Sequence, residues 1–214
     1  MDEKQDKQLG VIIIAAGDSS RLGQPKQLIK FKGITLLERA INTAKKISDN
    51  MVCVLGFQAN ELIEQLQIKS SQLVVNRKWQ QGMGSSIALG MKYLLNKQKP
   101  QSLDAILIML CDQYLICETD INNLITHWKY TDKNIIASQY FENKQKRFIE
   151  GAPAIFCKKY FSALSILKDK GARDILKTNP QDLLSIQIDN AGFDLDTSDD
   201  LQHLRNLDLN WEKK

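Results

Sequence analysis

The residues of this 214-residue chain best suited to chemistry gather at three places. Gly17, Ser19, Ser20, Arg21, Gly23 and Lys26 form a short, cationic, small-residue stretch directly after the apolar run Val11–Ala15. Small residues let backbone N–H groups approach phosphate oxygens, and Arg21 and Lys26 can neutralise their charge, so the stretch reads as a loop that wraps a polyphosphate. It carries neither Gly-Lys-Ser/Thr nor Gly-x-Gly-x-x-Gly, which points away from P-loop ATPases and dinucleotide-dependent dehydrogenases. Asp112 follows a second strong apolar run, Ala105–Cys111, where an ionised group is costly unless compensated. Asp194 and Asp196 form the third place. If these carboxylates converge they suit Mg²⁺, which takes one or two carboxylates together with phosphate oxygens and water. Each has a plainer alternative: Asp112 could cap the turn before Glu118–Trp128, Asp196 or Thr197 could cap the last helix, and Arg21 and Lys26 could be solvated surface.

A second loop, Asn76 to Ser86, holds Trp79, Gly82, Gly84, Ser85 and Ser86 ahead of a helix, an arrangement that could hold an anion or a base through backbone and hydroxyl donors. Gly-Ser is also an ordinary helix entry. His127 and His203 fall on helical patterns away from these loops and read as surface or packing residues, and Trp128 and Trp211 read as packing. The four cysteines (Cys53, Cys111, Cys117, Cys157) include no Cys-x-x-Cys pair, which speaks against zinc and for free thiols in a reducing compartment.

Positioning such residues calls for a rigid frame. Apolar runs at Val11–Ala15, Met51–Leu55, Leu73–Val75 and Ala105–Cys111 alternate with helical stripes at Thr35–Ile47, Ala59–Leu66, Ser85–Leu95 and Ile121–Trp128. That alternation predicts an α/β fold: a mostly parallel sheet with helices on both faces and ligands beyond the carboxyl ends of the strands. Strands follow at Ile135–Gln139 and Phe148–Phe156 around a charged turn near Glu142–Arg147. Short helices follow at Tyr160–Leu167 and Arg173–Lys177, then a strand at Leu184–Ile188 and a last helix at Ser198–Leu207. Residues 1–214 read as one domain, with 1–8 a flexible N-terminal tail. The net charge of +4, from 29 basic and 25 acidic residues spread along the chain, gives no reason to expect nucleic acid. No signal peptide or membrane span is legible, so a cytoplasmic location is expected.

With the elements in place, Ala15-Ala16-Gly17-x-Ser19-Ser20-Arg21-Leu22-Gly23-x-Pro25-Lys26 resembles the signature of nucleotidyltransferases that make molybdenum cofactor dinucleotides, above all the cytidylyltransferase branch. The resemblance extends through Asn76-x-x-Trp79-x-x-Gly82-Met83-x-x-Ser86, Cys111-Asp112-Gln113, Gly151-x-Pro153, Asp169-Lys170-Gly171-Ala172-Arg173 and Asp194-x-Asp196-Thr197-x-x-Asp200. It implies a Rossmann-like nucleotidyltransferase fold of the glycosyltransferase-A type. The implied reaction depends on Mg²⁺, with Mn²⁺ as substitute: a terminal phosphate of the pterin attacks the α-phosphate of CTP and pyrophosphate leaves. It also implies that Lys26, Arg21 and Asp112 are catalytic, and that Ala15, Ala16, Gly17, Ser19, Ser20, Gly23, Asn76, Gly82, Ser85 and Ser86 help hold the nucleotide. Gly151, Pro153, Asp169 and Arg173 would meet the acceptor, and Asp112 with Asp194 or Asp196 would hold metal. Ala16 and Pro25 accompany CTP in that family. The implied partners are CTP and molybdopterin, with a molybdoenzyme or its chaperone beside them. Guanylyl transfer, transfer to a sugar phosphate or other small phosphorylated acceptor, and a non-catalytic cofactor-binding chaperone are the alternatives. Tyr114 stands where the family has proline and Lys168 where it has glycine; both departures are expected on the acceptor side.

Overall fold

The computed structural model describes residues 7–66, 72–97, 103–142 and 146–212, without the side chains of 210–212. Strand β1 (Leu9–Ala15) is buried along its whole length, as a run apolar on both faces requires. A 3₁₀ turn at Lys26–Leu28 leads to a small hairpin, β2 (Lys30–Phe31) and β3 (Ile34–Thr35). Helix α1 (Leu36–Ile47) starts at a capping box in which the Thr35 hydroxyl accepts from Glu38 N and the Glu38 carboxylate accepts from Thr35 N. Then come β4 (Met51–Leu55), α2 (Ala59–Leu66), β5 (Leu73–Val75), α3 (Met83–Lys97), β6 (Ala105–Leu110) and α4 (Glu118–Tyr130). The remainder is β7 (Ile135–Glu142), β8 (Arg147–Cys157), α5 (Phe161–Ser165), α6 (Arg173–Thr178), β9 (Leu183–Gln187) and α7 (Ser198–Glu212).

Seven strands form one sheet in the order β5-β4-β1-β6-β8-β7-β9. The first four are parallel, β1 pairing Val11 with Met51 of β4 and Leu9 with Ala105 of β6. Strand β8 runs antiparallel to β6 and β7, and β9 runs parallel to β7. Helices cover both faces. Ala40 of α1, Leu62 of α2 and Leu124 of α4 pack with Val11 and Ile13, whereas Ile87 of α3, Leu164 of α5 and Leu176 of α6 pack with Ile12 and Ile14. The alternation along β1 thus feeds two cores, and truncating a fully buried isoleucine there, such as Ile13→Ala, costs about 2–5 kcal/mol.

A third, small core of Phe31, Leu36, Tyr114, Leu195 and Leu204 holds α7 against the body. Tyr114 is buried there, its hydroxyl 2.9 Å from His203 Nδ1. Phe193 stacks on His203 with ring centroids 5.6 Å apart. The expected acceptor-side place of Tyr114 is therefore corrected: it follows Gln113 in sequence, but its ring turns into this core.

Other differences have simple causes. The β2–β3 hairpin was not expected because two-residue strands show no periodicity; its turn runs through Lys32 (φ 53°) and Gly33 (φ 79°), the left-handed pair of a tight hairpin. Residues 7 and 8 do not belong to a tail. Gln8 N donates to Asp104 Oδ2 at 2.7 Å, Asp104 N donates back to Gln8 O at 2.8 Å, and Lys7 Nζ lies 5.4 Å from the Trp128 ring centre. Residues 1–6 and the centre of the charged turn, 143–145, lie outside the described residues. Among the described residues no helix is long and apolar enough to cross a membrane.

Candidate active site

Because β1 and β6 are neighbours and parallel, the loop after β1 and Asp112 after β6 emerge at the same edge of the sheet. The loop is folded back on itself. The buried Gln27 amide donates to Ala15 O (2.9 Å) and Gly17 O (3.1 Å). Ser19 O accepts from Leu22 N (2.9 Å) and Gly23 N (3.2 Å), while Ser19 Oγ accepts from Lys26 N (3.1 Å). These bonds place Lys26 and Arg21 over the carboxylates. Lys26 Nζ pairs with Asp112 Oδ2 and lies 3.2 Å from Asp196 Oδ1; Arg21 Nη2 lies 2.9 Å from Asp196 Oδ2. Asp196 is set by its neighbours: Asp200 Oδ2 accepts from the backbone N–H of Asp196 (3.0 Å) and Thr197 (2.8 Å), and Thr197 caps α7. Asp194 arrives through an antiparallel bridge to Gln113, reinforced by Leu195 N donating to Asp112 O at 3.1 Å.

The electrostatics are unbalanced. Burial works against the Lys26 charge, but the Asp112 carboxylate outweighs it, with Asp196 helping, and holds the ammonium above the ordinary lysine range. Burial likewise works against ionised Asp196, and Lys26 and Arg21 outweigh it, leaving its pKa low. At Asp194 the relief from Lys26 and Arg173 is too small. Burial, then the charges of Asp112 and Asp196, push it up to about 7. Even with Lys26, Arg21 and Arg173 nearby, the buried Oδ1 atoms of both Asp112 and Asp194 lack a hydrogen-bond partner. Leaving such atoms bare is costly, so the pair fits a hard cation. Among the described residues no three His, Cys, Asp or Glu side chains form a complete metal cluster, so such an ion would have to share these two carboxylates with substrate oxygens or water.

Behind the carboxylates lies a cavity of about 550 Å³. Lys26, Asp112, Asp194 and Arg173 line its polar part, and Ile108 and Phe156 belong to its apolar floor. Arg173 Nη2 reaches the Tyr140 hydroxyl at 3.4 Å. Gly151 keeps this corner open, since a Cβ there would lie 3.0 Å from the Tyr140 hydroxyl. A separate recess of about 110 Å³ is bordered by Gly17, Ser19, Ser20 and Arg21. A Cβ on Gly17 would meet nothing within 4 Å, so the loop leaves open space where a phosphate can come close.

Several expected residues are not brought to this space. The Asn76 amide donates to Ser85 Oγ (2.8 Å) and Ser86 Oγ (2.9 Å), and the Ser85 hydroxyl donates to Gly82 O (2.8 Å). Ser85 N donates to Lys168 O at 2.6 Å. Asn76, Gly82, Ser85 and Ser86 therefore build a closed internal network instead of presenting free donors. Ala16 is buried and Gly56 lies close against both it and Trp79, a Cβ on Gly56 falling 2.5 Å from Ala16 O and 2.7 Å from Trp79 Cβ. Of the expected acceptor residues, Gly151 and Arg173 line the cavity and Pro153 and Asp169 do not. Pro153 is buried, its carbonyl accepting from Ser138 Oγ at 2.8 Å, and the Asp169 carbonyl faces Gly82. The Lys168 side chain is exposed; its backbone is what the fold uses.

Sequence reasoning missed Gln27, Gln113 and Tyr140. The Gln113 amide donates to Ala152 O and Ala191 O, both at 2.8 Å, and so joins the end of β6 and the middle of β8 to the segment before Asp194. A glutamine after Asp112 was visible in the motif, but nothing local names partners this far along the chain.

Comparison with known proteins places this geometry. Nicotine blue oxidoreductase of Paenarthrobacter nicotinovorans is 28% identical over 200 residues, covering 90% of this chain and 94% of that protein. Molybdenum cofactor cytidylyltransferase of Escherichia coli (strain K12) is 34% identical over 77 residues, 36% of this chain and 40% of that one. The crystal structure of Rv0371c from Mycobacterium tuberculosis H37Rv matches with a TM-score of 0.76 at 23% identity, covering 94% of this chain and 98% of that one. The manganese complex of Rv0371c matches with a TM-score of 0.71 at 20% identity, over the same shares. The fold is thus shared along nearly the whole chain. The family model described as the MobA-like NTP transferase domain matches residues 11–183, a span that includes Lys26, Asp112 and Arg173, and the chain belongs to that family.

Proposed function

We propose that this chain transfers CMP from CTP to a phosphorylated pterin, molybdopterin, acting as one domain with Mg²⁺ or Mn²⁺. The observation that carries the reading is the convergence of Lys26 and Arg21 on Asp112 and Asp196, beside the unpartnered oxygens of Asp112 and Asp194. An acceptor phosphate oxygen attacks the α-phosphorus, a P–O bond forms, and the bond to the bridging oxygen breaks as pyrophosphate leaves. Little covalent work falls to the protein; positioning and charge neutralisation supply most of the rate. The small residues around Gly17 let the backbone approach the triphosphate, and Arg21 and Lys26 offset charge that builds on the phosphoryl oxygens. A divalent ion held by Asp112 and Asp194 would supply further neutralisation of the triphosphate. Arg173 lines the same cavity, within electrostatic reach of Asp194, and suits the acceptor phosphate.

The apolar floor at Ile108 and Phe156 supports a flat ring system over a polyhydroxylated sugar, whose hydroxyls would lack partners there. Ala16 and Pro25 support cytosine through the family resemblance. A test follows the α-phosphate: radiolabelled CTP, metal and molybdopterin are expected to yield pyrophosphate and a labelled dinucleotide. Turnover confined to a sugar phosphate, or preference for GTP, overturns the substrate assignment. A redox reaction without nucleotide turnover overturns the transferase reading and favours the activity named for the oxidoreductase relative.

A further inference from the structure

The segment 168–174 lies on the first turn of α3, and its path is set by contacts that leave no room for a side chain. A Cβ on Gly84 would lie 2.2 Å from Lys170 O and 2.7 Å from Lys168 O; one on Gly82 would lie 2.1 Å from Asp169 O. Lys168 O takes the first-turn N–H of Ser85 at 2.6 Å, closer than the Gly82 O that shares it at 3.2 Å. A Cβ on Gly171 would meet Met83 Sδ at 3.0 Å. Leaving this seat, the chain goes straight into the cavity wall, where Lys170, Gly171, Ala172 and Arg173 all face the space that Met83 and Ile87 close from α3. The glycines that the sequence suggests for nucleotide contact thus carry a backbone strap.

We propose that Gly84 is a positioning residue for the acceptor: by seating the 168–171 strap on α3 it sets where Arg173 meets the acceptor phosphate. The role of Arg173 rests on the transferase reading above, whereas the seat itself does not. Gly84 is the informative position because the sign of its effect separates two cases. In a helix alanine is favoured over glycine, so if the strap only passed by, Gly84→Ala would raise the melting temperature. If the strap is seated there, the added methyl must expel it.

For Gly84→Ala, the expected results are a lower melting temperature and trypsin cleavage after Lys168 and Lys170 at least about tenfold faster than in the substrate-free wild type. The acceptor KM should rise about tenfold, while the CTP KM and kcat stay within about twofold. Because the variant can fail to fold, amide exchange on the wild-type protein gives a second readout: Ser85 N–H, bonded to Lys168 O at 2.6 Å and to Gly82 O only at 3.2 Å, should exchange well below the rate of the Gly84 N–H beside it. A raised melting temperature with unchanged trypsin cleavage, or a fast-exchanging Ser85, overturns the seat. An unchanged acceptor KM in a variant whose strap is cut overturns its role in positioning. If the wild type turns over no nucleotide at all, the transferase reading fails, yet cleavage and exchange still decide the seat.

Discussion

Two groups of carboxylates sit at opposite edges of the same sheet and are treated in opposite ways. At the edge where β6 begins and β8 ends, Asp182 has partners on both oxygens: Lys159, the Tyr160 hydroxyl at 2.7 Å, and the Asn134 amide at 3.4 Å. The Lys159 and Tyr160 hydrogen bonds lead in bringing its pKa down to about 2. At the other edge Asp112 and Asp194 each keep a bare buried oxygen, and Asp194 is pushed up to about 7. One edge spends its charges on holding β7, β8 and β9 together. The other leaves carboxylate oxygens bare beside an open cavity, as the proposed metal and substrate require.

The contrast can be broken by substitution. Asp112→Asn should lower nucleotidyl transfer about a thousandfold without loss of folding, a magnitude typical of removing one electrostatic stabiliser; full activity in a steady-state assay would remove Asp112 from the site. Lys26→Ala should lower kcat about a hundredfold and change CTP affinity only a few fold. If titration calorimetry finds weakened binding and kcat is intact, Lys26 only docks the nucleotide. Asp182→Asn should do the reverse, lowering the melting temperature by a few degrees and leaving kcat/KM unchanged.

Proton linkage sharpens the same comparison. Asp182, with its pKa depressed in the fold, contributes stability above about pH 4 that is lost as pH falls through about 2. Asp194, raised to about 7, binds more protons folded than unfolded between about pH 4 and 7, so it draws stability down as pH rises through that window. Asp194→Asn should therefore melt higher than the wild type at pH 8, with the gap closing towards pH 4. A gap that widened on acidification would mean that Asp194 is a well-partnered carboxylate after all.

The parallel half of the sheet was legible because its strands are continuous apolar runs; β4, α2 and β5 begin and end where the pattern says. The edges of the loops were less so. Helix α3 begins at Met83, earlier than its apolar stripe at Ser85–Leu95, because Gly82 at φ 103° turns the chain into it without an apolar signal. Lys26, Arg21 and Asp112 could be read as site candidates because their types are unusual after buried strands, and Asp196 because it stands in an acidic cluster ahead of a helix. Gln27 and Gln113 could not, since a glutamine has meaning only through distant carbonyls. The hydroxyls of Ser85 and Ser86 look open to a ligand in the sequence because spacing shows which groups can bond but not which have already done so.

The open space beside Gly17 has a consequence for how variants of this protein would survive. A population sorted only for folding would keep Gly17→Ala, because the new methyl collides with nothing. The same sorting would discard Gly56→Ala, where Ala16 and Trp79 already fill the place. Sorting for turnover would discard both. Two glycines on either side of Ala16 would thus leave different histories, one kept by the protein's own packing and one by what it binds.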